Sequence, residues 1–538
     1  MSNIKGPLLL TLAAALSAAP APKTEILWDT YGVPHIFAAD DESLFRAFGW
    51  AQAESHGNLI LRLYGQARGR GAEYWGEKYA EDDRWVRLNG VPARARQWVE
   101  RQPAPFRPNL DAFAAGINAY VKENPGRIGE DVKVVLPVDA IDVLAHVQRV
   151  IHFSFVTRRL GAPELQRMWQ PEPPGSNAWA IGPKRAAGGK AMLLGNPHLP
   201  WSDFFLFYES QLTAPGVNAY GAALVGFPVL GIAFNDSLGW THTVNTYDGQ
   251  DHYELTLADG GYRFDGQVRP FETEEQILKV KGKPDEKLVV RRSVHGPVLT
   301  ERAGKALALR VAGLDQPGLC QQWWDMARAR SLEEFTTALR RLQIPMFTVM
   351  YADRDGHILH LFGGRTPVRP RGDWNYWSRS VPGDTTATLW TSTHPYEDLP
   401  RVLDPPSGWL QNANDPPWTT TFPAVLDPNK FPPYMAPRAM PFRPQRSARM
   451  LDEDPSITFD EMVLYKHSTR MEMADRILDD LIRAAREHGN DDARRAAATL
   501  AAWDRSARAD SRGAVLFESF VREWLTRTRG KMFAVPWS

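Results

Sequence analysis

The residues with the most chemical potential in this chain sit where a proline-rich break meets an extended run. Gln170-Pro171-Glu172-Pro173-Pro174-Gly175 cannot continue a helix, because proline lacks a backbone N–H and pushes the residue before it toward extended backbone. Ser176 follows directly, and Asn177 to Ile181 reads as a strand. A serine on a tight approach to a strand can attack the carbonyl that precedes it. If the Gly175–Ser176 bond breaks in this way, Ser176 becomes a chain terminus carrying a hydroxyl and a free α-amine on one residue. An α-amine titrates at about pH 8, so it can act as general base for its own hydroxyl, directly or through a water, with no separate His and Asp. From Gly-Ser alone, a loop serine before a strand is the plainer reading, so the surrounding pattern has to decide.

Other chemistries lack their residues. The G-x-S-x-G elbow of many serine hydrolases is absent, and a conventional secreted serine protease fails for lack of a recognisable triad context. Gly188-Gly189-Lys190 fails as a phosphate-binding loop, because Lys184 stands where the first glycine belongs and Ala191 where Ser or Thr belongs. No H-x-x-x-H pair or similar cluster suggests catalytic zinc. Cys320 is the single cysteine, so no intramolecular disulfide can form, and its apolar surroundings read as those of a buried small hydrophobe.

The wider pattern is specific. Gly175-Ser176-Asn177-Ala178-Trp179-Ala180-Ile181-Gly182, followed by Gly195-Asn196-Pro197-His198-Leu199-Pro200-Trp201, resembles the penicillin acylase family of N-terminal nucleophile hydrolases, and within it the acyl-homoserine lactone acylase and aculeacin A acylase branch. Tyr31-Gly32-Val33-Pro34-His35-Ile36 and Trp50-Ala51-Gln52-Ala53-Glu54 resemble the start of the family's small chain; Trp240-Thr241-His242-Thr243-Val244 resembles its oxyanion strand, and Gln411-Asn412-Ala413-Asn414-Asp415 its catalytic Asn loop. The resemblance implies self-cleavage between Gly175 and Ser176, with Ser176 as nucleophile. It implies that His198 orients the serine amine, that the Val244 N–H and the Asn414 side-chain amide are the oxyanion donors, and that Arg446 lies near the active-site Asn. Leu199 and Trp201 fall in the stretch beside the acyl pocket. Leu199 stands where many relatives have Phe, leaving room for a longer or bulkier acyl group. Asp248-Gly249-Gln250-Asp251 resembles the segment that supplies calcium ligands, so a structural Ca²⁺ held by Asp248, Gln250 and Asp251, with Glu164 from the small chain, is expected; oxygen ligands suit that ion. No organic cofactor is implied.

These groups need a scaffold. The fold class implied by the resemblance is α+β, a four-layer αββα sandwich with a mostly helical small chain. Asp40 or Asp41 can cap a helix whose apolar face is Leu44, Phe45, Phe48 and Ala51, and further helices are expected at 108–122 and 139–155. Past Ser176, strands are expected at 177–181 and 191–194 across a Gly188-Gly189 turn, and at 240–245, 288–299, 307–311 and 347–351. The Pro-rich stretch 365–444 reads as surface loop. Thr458 to Glu461 fits a capping box opening a helix that runs to Gly489, with another helix at 491–503.

Composition fits this scheme. With 538 residues, 43% apolar and 23% charged, the chain can bury a large core, and its 19 Trp favour an apolar pocket. Lys plus Arg equals Asp plus Glu at 63 each, which gives no electrostatic case for nucleic-acid binding. Residues 1–21 read as a signal peptide, with apolar Leu8 to Ala19 before Ala19-Pro20-Ala21. No run is long enough to span a membrane. The expected organisation is therefore a leader at 1–21, a small α chain at 22–163, a short linker or end of the α chain at 164–175 and a large β chain at 176–538, the two chains forming a heterodimer in the periplasm or outside the cell. The resemblance implies further sheet beyond the equivalent of Ser538, so the chain reads either as a natural short form or as a fragment. The function expected is a self-processing acylase that takes a small-molecule acyl amide, an N-acyl homoserine lactone or acylated lipopeptide, with roles in quorum quenching or antibiotic metabolism. The alternatives are a penicillin or cephalosporin acylase, and an inactive periplasmic homologue that captures acylated ligands.

Overall fold

The structure is a computed structural model that describes residues 24–157 and 175–528. The expected leader, most of the linker and Glu164 lie outside the described residues. In chain order the strands that build the site are β1 (Glu25–Trp28), β2 (Pro34–Phe37), β3 (Gly175–Ile181), β4 (Met192–His198), β5 (Phe207–Ala214), β6 (Val217–Leu224), β7 (Ile232–Asn235), β8 (Leu238–Thr243), β9 (Met346–Asp353), β10 (Ile358–Gly364), β11 (Arg401–Leu403) and β12 (Trp409–Asn412). Nine of them form one sheet in the order β1-β2-β5-β6-β7-β8-β9-β10-β11, antiparallel except for the parallel β2–β5 pair. A second sheet has the order β12-β3-β4. A peripheral sheet is built from strands within 250–311 and a short parallel strand at Val381–Pro382.

The four layers follow from which side chains each strand buries. Side chains alternate across a strand. On β9 and β10, Val349, Tyr351, Leu359 and Leu361 face the helices α1 (Asp41–Ala67), α2 (Arg107–Glu123), α3 (Ala140–Val150), α4 (Leu319–Arg328) and α5 (Leu332–Arg340). Met350, Ala352 and Ile358 face the other way, onto Ala178 and Ala180 of β3 and Leu410 of β12. The next residues of β3, Trp179 and Ile181, point outward onto Ala448 and Leu451 of α6 (Phe442–Glu453). Alanines on the inner face let the two sheets approach, and large residues on the outer face fill the gap to α6. Each fully buried large apolar side chain contributes roughly 1.5–3 kcal/mol. The order is helices, sheet, sheet, helices, the αββα sandwich that was expected.

Several sequence expectations hold in detail. Asp40 caps α1, accepting from the Ser43 N–H at 2.7 Å, and the expected apolar face of that helix is buried. Helices α1 and α2 cross at Gly49 and Gly116: a Cβ there would lie 2.1 Å from the Phe113 carbonyl oxygen and 1.9 Å from that of Arg46. The Thr458–Glu461 capping box is present. Three readings need correction. The helix expected to run from 458 to Gly489 is two, Phe459–Lys466 and Glu472–His488, interrupted where Arg470 bridges to Ser506. The run 288–299 is two strands of a hairpin. The stretch 365–444 is not all surface, because β12 pairs with β3 and is buried along its length. No helix among the described residues is long and apolar enough to cross a membrane.

Candidate active site

Ser176 lies in β3 with Gly175 opposite His198 of β4 in the ladder. It is 4% exposed. Its hydroxyl donates to the Gly175 carbonyl oxygen at 2.7 Å, and its backbone N–H donates to Asn414 Oδ1 at 2.6 Å. Asn414 adopts φ 62°, a left-handed conformation that Asn tolerates better than most residues. Its amide orientation is fixed from three sides: Oδ1 also accepts from Arg443 Nη2 at 2.7 Å, and Nδ2 donates to the Val244 carbonyl at 2.6 Å.

The turn that presents Asn414 is organised by the next residue. Asp415 is fully buried and accepts from the Ala413 N–H at 2.7 Å, from Gln411 Nε2 at 2.8 Å and from the Thr419 hydroxyl. Burial pushes its pKa up to about 6 against those bonds. Asn412 Oδ1 accepts from Thr243 Oγ1 at 2.6 Å and from the Asn414 N–H at 3.1 Å. The Asn loop is thereby tied to β8, which leads into Val244.

The arginine of the site is Arg443, one helical turn before the expected Arg446. Arg443 Nη1 donates to the Ser176 carbonyl at 2.8 Å and to Asn177 Oδ1 at 2.6 Å. Ser447, four residues on, accepts from Trp179 Nε1 at 2.7 Å. Positions 443 and 447 share the face of α6 that lies on β3, as i,i+4 residues must. Arg446 is turned away, among Arg470, Asp475, Glu472 and Glu453. The Gln445-Arg446-Ser447 motif drew attention to the wrong member of the helix. The signal available was helical spacing from a β3 contact, which needs the fold.

Beside Ser176 opens an apolar pocket. Its wall includes Leu199, Phe207, Phe227, Val229, Trp323 and Phe347, and Val244 lines it too. Ile151 and Phe155 reach it from the small-chain segment. They sit on a π-helical turn, Ile151–Val156, that continues α3; such turns are frequent at functional sites. His242, the one titratable group among the described residues of the wall, is spent internally: Nδ1 donates to the Thr348 carbonyl at 3.2 Å, and Nε2 accepts from Trp323 Nε1 at 2.9 Å. Burial lowers its pKa to about 4, so the wall is neutral. Leu199 is where the sequence put it. Trp201 is not: it is 96% exposed and away from the pocket.

The small-chain motif has a positional role. Gln52, buried in α1, donates to the Phe227 carbonyl and accepts from the Gly226 N–H, both at 2.8 Å. Tyr64 donates to the Gly226 carbonyl at 2.8 Å, and His146 of α3 to that of Val225 at 3.0 Å. These bonds hold the loop whose Phe227 and Val229 form one wall.

The expected metal segment holds an internal cation. Arg369 Nη2 bonds Asp248 through the carbonyl oxygen and Oδ2, both at 3.0 Å, and Asp251 through Oδ1 at 2.9 Å and Oδ2 at 3.1 Å. Those oxygens are the ones a Ca²⁺ would need, so this donor set does not fit the ion as it is arranged. Among the described residues no group of three or more His, Cys, Asp or Glu is placed to hold a metal.

A sequence model of penicillin amidase matches residues 23–536. The acyl-homoserine lactone acylase PvdQ of Pseudomonas putida is 29% identical over 579 residues, covering 94% of this chain and 73% of that protein. Penicillin acylase 2 proenzyme of Pseudomonas sp. SE83 is 26% identical over 561 residues, covering 93% of this chain and 71% of that protein. The thermostable penicillin G acylase from Alcaligenes faecalis shares the fold, with TM-score 0.57 and 22% identity, covering 66% of this chain. This chain spans 65% of the length of that solved chain. The chain belongs to the penicillin amidase family.

Proposed function

We propose that the chain is the precursor of an exported N-terminal-serine amidohydrolase that cuts itself before Ser176 and then removes an apolar acyl group from an amide. The observation that carries this reading is the Ser176 hydroxyl, 2.7 Å from the Gly175 carbonyl oxygen, at the edge of an apolar pocket and beside an Asn amide pinned by Arg443. In the first reaction Oγ turns onto the Gly175 carbonyl carbon and its proton passes to water. The adduct collapses by expelling the Ser176 nitrogen, which takes up a proton. Water then hydrolyses the ester, leaving a carboxylate on Gly175 and an α-amine on Ser176.

The same groups then act on substrate. The α-amine accepts the Oγ proton while Oγ attacks the amide carbonyl, and the resulting ammonium protonates the leaving amine. Water, deprotonated by the same amine, releases the acid. The Val244 N–H and Asn414 Nδ2 stabilise the oxyanion in both halves; such a donor typically contributes about 10²–10³ in rate. Asn414 Nδ2 must exchange its bond to the Val244 carbonyl for this. With Oδ1 held by Arg443, the NH₂ end is the one left to donate. The pairing of His198 with Gly175 in the ladder supports a role for His198 in orienting the new amine.

The pocket favours a fatty or aromatic acyl group, and the likeness to the PvdQ acyl-homoserine lactone acylases supports an N-acyl homoserine lactone or acylated lipopeptide. The likeness to penicillin acylase 2 proenzyme supports a β-lactam amide as a second reading. The leader at 1–21, the chain boundary before Ser176 and the heterodimer of small and large chains belong to the same proposal. Intact mass and N-terminal sequencing of the exported protein, beside Ser176→Ala, tests it. Two chains are expected, the larger beginning Ser176-Asn177-Ala178 and the smaller beginning after the leader, with Ser176→Ala uncut; homoserine lactone should be released from a series of acyl derivatives. A single uncut and inactive wild-type chain would favour the acyl-ligand binder.

A further inference from the structure

We infer that Arg369 takes the place of a divalent cation between Asp248 and Asp251, so that the segment following the oxyanion residue Val244 is clamped by a covalently attached charge and not by calcium. The guanidinium is entirely shielded from solvent, as is the Asp251 carboxylate. Nη2 bonds both oxygens of Asp251 and two oxygens of Asp248. The Arg369 guanidinium carbon lies 4.8 Å from the ring centroid of Trp377 and 6.0 Å from that of Tyr434, within cation–π range. Trp390 Nε1 donates to Asp251 Oδ2 at 2.6 Å. These ring contacts are ones that an oxygen-ligated ion does not need.

Charge counting leads to the same conclusion. Arg310 sits directly across from Asp251 in the antiparallel ladder of the peripheral sheet, with its guanidinium carbon 4.4 Å from the Trp390 ring centroid. Among the described residues, the carboxylates of Asp248 and Asp251 therefore lie with the guanidinium groups of Arg369 and Arg310. Adding Ca²⁺ beside them would bring two further positive charges into a buried site, where unpaired charge is severely penalised. It would also have to displace Arg369 from the oxygens it needs, since Ca²⁺ takes 6–8 of them.

The clamp has a mechanical consequence. Asp248 lies four residues after Val244, and Asp251 begins the peripheral sheet through the strand Gln250–Ala258. Arg369 comes from the segment after β10. The ion pair therefore ties the segment after β10 to the stretch that links Val244 with the peripheral sheet, close to the oxyanion donor.

The test uses the purified full chain in whatever state of processing it reaches. Wild type is expected to carry no stoichiometric calcium by elemental mass spectrometry, to give superimposable melting curves in EDTA and in calcium, and to show no tryptophan-sensitised terbium luminescence despite Trp377 and Trp390 at the site. Arg369→Gly removes the built-in cation and frees the oxygens. Its melting temperature should fall by several degrees, be partly restored by calcium, and be accompanied by terbium emission. Calcium in wild type, or a wild-type melting temperature that drops in EDTA, overturns the inference, as does a folded Arg369→Gly that ignores both calcium and terbium. If the Gly variant does not fold, Arg369→Lys keeps one charge and loses the guanidinium beside the Trp377 ring: a lowered melting temperature indifferent to calcium upholds the inference, and one restored by calcium overturns it. None of these readouts depends on acylase activity, so failure here is distinguishable from failure of the functional proposal.

Discussion

Replacing Gly175 by alanine should arrest maturation without harming the enzyme that eventually forms. A Cβ on residue 175 would lie 2.6 Å from Asn414 Oδ1 and 2.8 Å from Arg443 Nη2. Carbon needs about 3.5 Å from such neighbours, so Asn414 would have to retreat by roughly 0.9 Å. It cannot do so freely, because Arg443 and the Val244 carbonyl hold both ends of its amide. Its bond to the Ser176 N–H, already 2.6 Å, is the one that gives. A displacement of about 1 Å typically costs about 10²-fold, and loss of an oxyanion donor about 10²–10³-fold. Both describe one displacement here and are not multiplied. Self-cleavage of Gly175→Ala should therefore be slower by about 10²–10³-fold, or about 3–4 kcal/mol of barrier. The assay is the time course of precursor disappearance on a gel after purification. The decisive control comes after cleavage: residue 175 then lies outside the large chain, which is identical to wild type. Material that has matured slowly should show kcat/KM within about twofold of wild type. Maturation at the wild-type rate, or a mature variant with greatly reduced kcat/KM, would refute this account of the site.

Arg443→Ala should lower kcat by roughly 10²-fold, since it frees the Asn414 amide, whereas Arg446→Ala should stay within about twofold; removing a cation near the Ser176 amine should also raise the amine pKa and move the acid limb of kcat/KM to higher pH. Leu199→Phe should shift the acyl-length profile toward shorter chains, read by homoserine lactone release, and Trp201→Ala should leave it unchanged. Asp415 makes opposite demands on stability and activity. Its folded pKa, about 6, lies above the ordinary aspartate value of 3.8, so the native state holds the proton more tightly. Its contribution to stability is therefore full below about pH 4 and is lost as pH rises through 6, amounting to about 3 kcal/mol for roughly two units. The stability gap between wild type and Asp415→Asn, from denaturant melts, should change by that order between pH 4 and 7. Activity should run the other way, falling below about pH 6 as Asp415 protonates and the Asn414 turn loosens. An activity profile unchanged by Asp415→Asn would remove this role.

The parts of this protein legible in sequence are those where a local rule acts on neighbouring residues. The cap at Asp40, the capping box at Thr458 and the alternation in β3 each depend on a handful of consecutive residues, and each is found in the structure. Ordered motifs added the proposed nucleophile, the proposed oxyanion strand and the Asn loop, because short stretches keep their spacing whatever lies between them. Contacts made across hundreds of residues could not be read this way. Arg443 rather than Arg446 meets Asn414 because the axial rotation of α6 is set by packing on β3. Phe155 lines the pocket because a π-helical turn redirects the end of α3, and Trp201 misses it because the chain after β4 leaves the sandwich. Arg369 reaches Asp248 and Asp251 from more than a hundred residues away, and no spacing rule links them. Sequence determined which groups were available; tertiary packing decided which of them meet, because burial and pairing are properties of surfaces brought together by the whole fold.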